Sequence, residues 1–206
     1  MASPRASPML RDRRRGSRSA VLLLALVVVS CAMALDIDDV HITKHGRAYQ
    51  VQMTFDVAAP VNRVMATLTD YGFPDRLNPE VTNREVISRQ SGITRVRTEM
   101  RSCVFFFCKD IALTQDVTVI ADTIQADIVP DESDFRSGYF RWSVSSSDNG
   151  GSHISFEAVM EPDFFIPPLV GGFFFRKSLR QEILATARNL EIEAAREPAP
   201  AMHRNR

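Results

Sequence analysis

The sequence predicts an α+β domain built from a strongly curved antiparallel sheet of about six or seven strands and one long C-terminal helix. Apolar and polar residues alternate over 51–57, which is typical of a half-buried strand. Similar alternating runs follow one another between residues 81 and 160, with too little chain between them for crossover helices. Only near the C-terminus, from Leu179 to Leu190, do apolar residues recur at helical spacing over several turns.

The first part of the domain contains the short elements. Residues 40–44 are predicted to form a hairpin with the strand at 51–57, turning at Gly46. Pro60 then begins a short amphipathic helix, because a proline is tolerated in a first helical turn. The apolar residues from Val61 to Leu68 mark its buried face, and we expect one or two such short helices after the first strand.

A meander of strands follows, each with its apolar residues two apart. The third of these strands has Gln115 as the single polar member of its apolar face. Pro130 closes the fourth strand, and the run 145–151 is a turn after the fifth. The strands are predicted at 81–89, 94–100, 111–119, 124–128, 140–144 and 154–160.

The N-terminal segment, residues 1–34, has the pattern of a secretory signal peptide. A basic stretch precedes an apolar run at 20–29, and Ala32-Met33-Ala34 fits a cleavage site before Leu35. The apolar run is shorter than the roughly 20 residues that span a bilayer. A second interpretation is a lipoprotein signal with Cys31 as the lipidated residue. We expect an exported periplasmic or envelope-associated domain over 35–195 and a disordered tail over 196–206.

Charge and composition limit the classes of function. Removal of the signal would lower the basic residues from 25 to 19 and the acidic residues from 25 to 24, a net charge of about −5 that disfavours nucleic acid as a partner. The four histidines are scattered and none has metal-ligand spacing. No nucleotide-binding loop or nucleophile elbow is present in the sequence. We therefore predict no metal, no cofactor and no identifiable catalytic residue.

Cys103 and Cys108 flank an apolar tetrapeptide that contains Phe105, Phe106 and Phe107. On a straight strand the cysteines would be about 16 Å apart, whereas a disulfide requires Cα atoms within about 7 Å. They can bond only if the residues between them reverse the chain, and the meander requires a reversal at this point. Export would supply an oxidising compartment. The sequence therefore predicts a disulfide that closes a hairpin tip.

A second aromatic stretch precedes and enters the C-terminal helix. Phe164 and Phe165 stand before Pro167 and Pro168, which we expect to open the helix, and Phe173 belongs to a triple phenylalanine followed by two basic residues. Aromatic rings beside cations are typical of a membrane interface. The other interpretation is that these residues close the mouth of a cavity or plug the core. The two aromatic segments together are the candidate tips for either role.

The order of elements, with Phe55-Asp56-Val57-Ala58-Ala59-Pro60 and then Asp70 and Tyr71, resembles the START-like helix-grip (SRPBCC) superfamily. Within it the chain is similar to the polyketide cyclase/dehydrase and coenzyme Q-binding (Coq10-like) group of bacterial proteins. The resemblance covers roughly residues 40–195. It implies a sheet wrapped around the long helix, with a cavity between them for a hydrophobic small molecule such as a lipid, a quinone or a polyketide.

The alternation of apolar residues nominates the lining of that cavity. Gln115 and Trp142 carry polar groups into this face, so they could bond a ligand, a water molecule or the backbone. The predicted ligand-pocket residues are Met53, Phe55, Val96, Met100, Leu113, Gln115, Val117, Trp142, Phe156, Leu179 and Ile183.

Three functions are compatible with these features. The favoured one is an exported binding or carrier protein for a hydrophobic molecule, with possible membrane contact through the aromatic tips. A cyclase/dehydrase-type enzyme using the same cavity is the alternative, because such chemistry needs only one or two polar groups in an apolar pocket. The third is a non-catalytic envelope protein that binds another protein through the tips. The superfamily fold alone does not choose among them.

Overall fold

In a computed structural model, which describes residues 37–72, 75–104, 107–166 and 171–196, one sheet and one long helix form the domain. The strands are β1 (Ile37–His45), β2 (Ala48–Val57), β3 (Val81–Gln90), β4 (Ile93–Val104), β5 (Phe107–Ile120), β6 (Thr123–Ile128), β7 (Phe135–Ser146) and β8 (Ser152–Pro162). The helices are α1 (Val61–Leu68), α2 (Gly171–Ala195) and a 3₁₀ turn at Pro130–Glu132. The predicted fold class is confirmed.

All eight strands pair antiparallel in the order β1-β2-β8-β7-β6-β5-β4-β3. The sheet has eight strands where about six or seven were predicted, and β1 pairs with β2 over most of its length. The short helix α1 follows this β1–β2 hairpin rather than the first strand. The hairpin at Gly46 is confirmed. Gly46 has a φ of 61°, a left-handed backbone conformation that glycine adopts readily because it has no side chain.

Contacts of α2 with distant strands demonstrate the curvature of the sheet. Arg180 Nη1 donates a hydrogen bond to the carbonyl oxygen of Val40 in β1, at 2.7 Å. Two residues further along α2, Glu182 accepts one from Ser102 of β4, at 3.0 Å. β1 and β4 are six strand spacings apart in the sheet order, roughly 29 Å in a flat sheet. Neighbouring helix residues can reach both strands only because the sheet curls around α2.

The main core lies where the C-terminal half of α2 covers β2 and β8. Ala187 and Leu190 of the helix are fully buried there, in one cluster with Val51, Phe55 and Ile154 of the strands. A second, smaller cluster joins β4, β5 and β6 at Val96, Val117, Ile124 and Ala126, with α1 packed beside it. Members of both clusters also line a cavity that lies between them.

Candidate functional site

The site is a cavity of about 250 Å³ between the concave face of the sheet and the first half of α2. Most of its walls are apolar side chains, with nine polar residues among them. An apolar cavity of about 150 Å³ is enough to hold a benzene ring. The cavity is therefore large enough for a small organic molecule. The lining comprises Leu68, Tyr71, Leu77, Asn78, Val81, Arg84, Val96, Thr98, Met100, Ser102, Ile111, Leu113, Gln115, Val117, Ile124, Ala126, Phe135, Phe140, Trp142, Phe156, Met160, Phe164, Phe175, Ser178, Leu179, Glu182, Ile183 and Thr186.

The structure places nine of the eleven nominated pocket residues on this lining: Val96, Met100, Leu113, Gln115, Val117, Trp142, Phe156, Leu179 and Ile183. Met53 and Phe55 are the two exceptions. Both face inward from β2, as their alternation requires, but they belong to the solid core with Ala187 and Leu190 of α2. The helix covers β2 directly, so its inward side chains meet packed atoms rather than the cavity.

Gln115 and Trp142 both reach the cavity with polar groups. Neither side chain forms a hydrogen bond with another residue in the described part of the chain. Trp142 packs against Phe156, with 4.3 Å between ring centroids, and Phe140 lies beside Phe156 at 6.4 Å. These rings form an aromatic wall, and the amide of Gln115 and the indole N–H of Trp142 are available to a ligand or to water.

One end of the cavity carries a cation. Arg84 of β3 is on the lining, and its Nε donates a long hydrogen bond, 3.4 Å, to Thr98 Oγ1 of β4. Burial lowers the pKa of Arg84 and raises that of the neighbouring Tyr71 phenol. Among the described residues no carboxylate pairs with Arg84. A guanidinium and a phenol therefore stand together at this end, without an anion to neutralise the cation.

The other end carries an acid. Glu182 of α2 lines the cavity and accepts hydrogen bonds from Ser102 Oγ at 3.0 Å and Ser178 Oγ at 3.3 Å. The carboxyl group of Glu80, which directly precedes β3, lies within hydrogen-bonding reach of Glu182. Burial first, and then the Glu80 charge, raise the pKa of Glu182 to about 7. Near pH 7 Glu182 is therefore about half protonated, unlike an ordinary glutamate.

Three charged residues of the site, Arg84, Glu80 and Glu182, were not among those nominated from the sequence. Arg84 lies in the predicted strand 81–89, and a bulge between Val81 and Asn83 changes which β3 residues face inward. Glu182 follows Leu179 by three positions in α2, so helical periodicity places it on the same face. That spacing was a usable signal for Glu182. No comparable sequence pattern predicted the bulge in β3.

The hairpin at the acidic end contains the two cysteines. Cys103 and Cys108 lie opposite each other in β4 and β5, and their sulfur atoms are joined at 2.08 Å. Ser102, which bonds Glu182, directly precedes Cys103. Phe105 and Phe106 lie outside the described residues, as do the side chain of Phe107 and the possible lipidation site Cys31. The chain reversal required for the disulfide is thus present.

The aromatic residues after β8 that were candidate tips occupy two different environments. Phe164 lines the cavity and packs edge-on against Phe135, with 6.0 Å between ring centroids. Lys109, next to Cys108, stands 5.4 Å from the Phe164 ring, so this segment adjoins the base of the cysteine hairpin. Phe165 and Phe173, by contrast, are 82% and 63% exposed. Pro167 and Pro168, expected to open the helix, lie outside the described residues, and α2 begins at Gly171.

Within the described residues, no cluster of His, Cys, Asp or Glu side chains could hold a metal ion. No helix in those same ranges has the length and apolar character of a membrane span.

A curved sheet that grips a long helix around an apolar cavity defines the helix-grip class of proteins. The sequence matches the family model "Polyketide cyclase / dehydrase and lipid transport" over residues 48–194, so the chain belongs to that family. No curated protein matches the sequence. Family and fold together define a scaffold of the hydrophobic-ligand-binding or polyketide cyclase/dehydrase type.

Solved structures with the same fold support this assignment. A START superfamily protein from Mycobacterium smegmatis aligns with a TM-score of 0.58 and 16% identity, over 70% of this chain and 96% of its own. The Zhui aromatase/cyclase from Streptomyces sp. R1128 gives 0.56 and 16%, over 71% and 93%. A STAR-related lipid transfer protein (fragment 25-204) from Xanthomonas axonopodis gives 0.54 and 13%, over 74% and 99%. At these identities the likeness is one of fold.

Proposed function

We propose that this protein binds a hydrophobic small molecule in the cavity between the sheet and α2, as a carrier or binding protein. The observation that supports this most strongly is the cavity itself, an apolar space lined by a few convergent polar groups, which is the usual form of a small-molecule site. A purely structural core would be filled at close-packed density. The printed names of structural neighbours include a lipid transfer protein, which agrees with this role.

Filling the cavity should weaken binding. Val117 lines the cavity and Val119, two residues further along β5, is 46% exposed. A Val117→Phe variant should bind the apolar fluorophore 1-aminoanthracene at least tenfold more weakly than the wild type, because the added ring occupies the space of the probe. Val119→Phe makes the same change outside the cavity and should leave the affinity unchanged.

The readout for this experiment is energy transfer from Trp142, the only tryptophan in the sequence and itself part of the cavity wall. Transfer requires the bound probe to lie close to that wall. Equal affinities of Val117→Phe and wild type, with both variants folded, would count against binding in this cavity.

The carboxyl pair favours a second candidate function, a cyclase/dehydrase-type enzyme. A general acid–base group works best when its pKa lies near the working pH, and the pKa of Glu182 is raised to about 7. The neighbouring aromatase/cyclase also has this fold. If polyketone substrates are turned over, Glu182→Gln should lower kcat, whereas Glu99→Gln on the outer face of β4 should not. Unchanged turnover by Glu182→Gln would remove Glu182 from this role.

We also propose export and peripheral membrane contact. The signal-like residues 1–34 support export, and a disulfide between the two remaining cysteines is typical of an oxidising compartment. Phe165 and Phe173 support membrane contact because they expose two aromatic rings near the start of α2, where Arg176 and Lys177 follow, and aromatic rings beside cations suit a membrane interface.

One preparation tests both proposals. The mass of the native mature protein should show loss of residues 1–34 and two missing hydrogens, and an acyl chain would identify Cys31 as lipidated. Flotation with anionic vesicles should decrease in a Phe165→Ser/Phe173→Ser variant and persist in Ile120→Ser, which alters an exposed residue elsewhere. An unprocessed mass would contradict export, and equal flotation of both variants would contradict contact through these two rings.

A further inference from the structure

The two polar ends of the cavity lie along the same strand. Thr98, which bonds Arg84, and Ser102, which bonds Glu182, both face inward from β4. They are four residues apart, about 13 Å between Cα atoms on an extended strand. Met100 lies between them on the same face. A single elongated molecule in the cavity would therefore meet a cation at one end and an acid at the other.

The Arg84 end lacks an anion. A cation taken out of water is costly unless an opposite charge or hydrogen-bond acceptors compensate it. Thr98 offers one weak acceptor at 3.4 Å, and no carboxylate among the described residues pairs with the guanidinium. The Tyr71 phenol beside it can donate a further hydrogen bond to the same group. This end thus matches an anionic oxygen pair such as a carboxylate.

At the Glu182 end, the described residues offer fewer hydrogen-bond donors than the carboxyl groups can accept. Ser102 and Ser178 both donate to Oε1 of Glu182, and Glu80 adds a second carboxyl group rather than a cation. Oε2 of Glu80 is buried and has no hydrogen-bond partner among the described residues. With these two serine hydroxyls as donors, the two carboxyl groups present more acceptors than donors among the described residues. A ligand hydroxyl that donates a hydrogen bond to Glu182 would supply an additional donor at this end.

The middle of the cavity is apolar and partly aromatic. Leu113, Phe140, Trp142 and Phe156 form its wall, and the rings of Phe140 and Trp142 each lie beside Phe156. Flat or slender apolar groups stack well against such a wall, whereas polar groups there would lose their water.

We propose that the ligand is a hydroxy acid with an apolar middle, whose carboxylate binds Arg84 and Tyr71 and whose hydroxyl, at the far end, donates a hydrogen bond to Glu182. This ligand class rests on the proposed function, because it occupies the same cavity. It also predicts the orientation of the bound ligand, with its carboxylate toward α1 and its hydroxyl toward the cysteine hairpin.

Three rod-shaped acids test this inference by titration calorimetry on the full-length protein: 4'-hydroxybiphenyl-4-carboxylate, its 4'-methoxy analogue and biphenyl-4-carboxylate. The hydroxy acid should bind about tenfold more tightly than the parent acid, the usual effect of one hydrogen bond to a charged group. The methoxy acid has no donor and should show no gain. Glu182→Ala should abolish the tenfold gain while keeping the affinity for the parent acid.

Arg84→Met should weaken all three acids together by tenfold or more, and Glu99→Gln on the outer face of β4 should change none. A hydroxyl gain that survives in Glu182→Ala, or equal affinities for the three acids, would overturn the inference and leave the cavity function intact. The same holds if no acid binds but 1-aminoanthracene does. If neither the acids nor 1-aminoanthracene bind, the proposed function fails as well.

Discussion

Replacing Phe55 with alanine should lower the free energy of unfolding by about 3–5 kcal/mol. Phe55 is fully buried in the cluster that joins β2 and β8 to the C-terminal half of α2. Its removal would open a new void in close-packed surroundings, which adds a cavity cost to the lost burial of the ring. Urea unfolding followed by circular dichroism would measure the change.

A pair of methionines provides the matched comparison. Met53 is buried beside Phe55 in the core, whereas Met100 is half-buried on the cavity wall. We expect Met53→Ala to cost about 3 kcal/mol and Met100→Ala about 1 kcal/mol, because Met100 already lacks neighbours on its cavity side. Equal losses at the two positions would mean that the space beside Met100 is filled by protein, contrary to the fold described here.

Replacing Glu182 with glutamine should stabilise the protein above neutral pH and have little effect in acid. The pKa of Glu182 is raised to about 7 from an ordinary value of 4.5, so the folded protein binds a proton there that the unfolded chain has released. Stability therefore falls as pH rises from about 4.5 to about 7, by up to about 3 kcal/mol. Glutamine keeps an acceptor for Ser102 and Ser178 but does not ionise, so the variant should avoid that loss.

Denaturant unfolding at pH 4.5, 6 and 8 measures this difference. The difference in the free energy of unfolding between Glu182→Gln and wild type should increase from pH 4.5 to pH 8. Glu99→Gln removes an exposed carboxylate from the outer face of β4 and should change the stability by less than about 0.5 kcal/mol at each pH. If the curves of Glu182→Gln and wild type ran parallel, the pKa of Glu182 would be the same in the folded and unfolded protein, contrary to the raised value.

Much of the fold could be predicted because its strands alternate in a regular way. The inward residues of β4, β5 and the nominated residues of α2 follow simple periodicity, and nine nominated pocket residues line the cavity as a result. The errors occur because alternation along a strand predicts the face that a residue occupies but not what packs against that face. Met53 and Phe55 face the concave side, but whether a residue there meets a helix or empty space depends on where α2 crosses the sheet.

The polar groups of the site were harder to predict for a different reason. Arg84 faces inward only because of the bulge in β3, and a bulge of this kind depends on long-range pairing with β4. Glu80 and Glu182 are about a hundred residues apart and come together only when α2 docks against β3 and β4. Local sequence patterns carry no information about contacts between residues so far apart in the chain.

Binding of a hydrophobic molecule in the cavity is the central claim, and native mass spectrometry of the protein purified from its own cells tests it most directly. The wild type and Val119→Phe should each retain one small molecule per chain, and Val117→Phe should be free of it. Wild-type protein that is reproducibly without ligand and also fails to bind 1-aminoanthracene would contradict the claim.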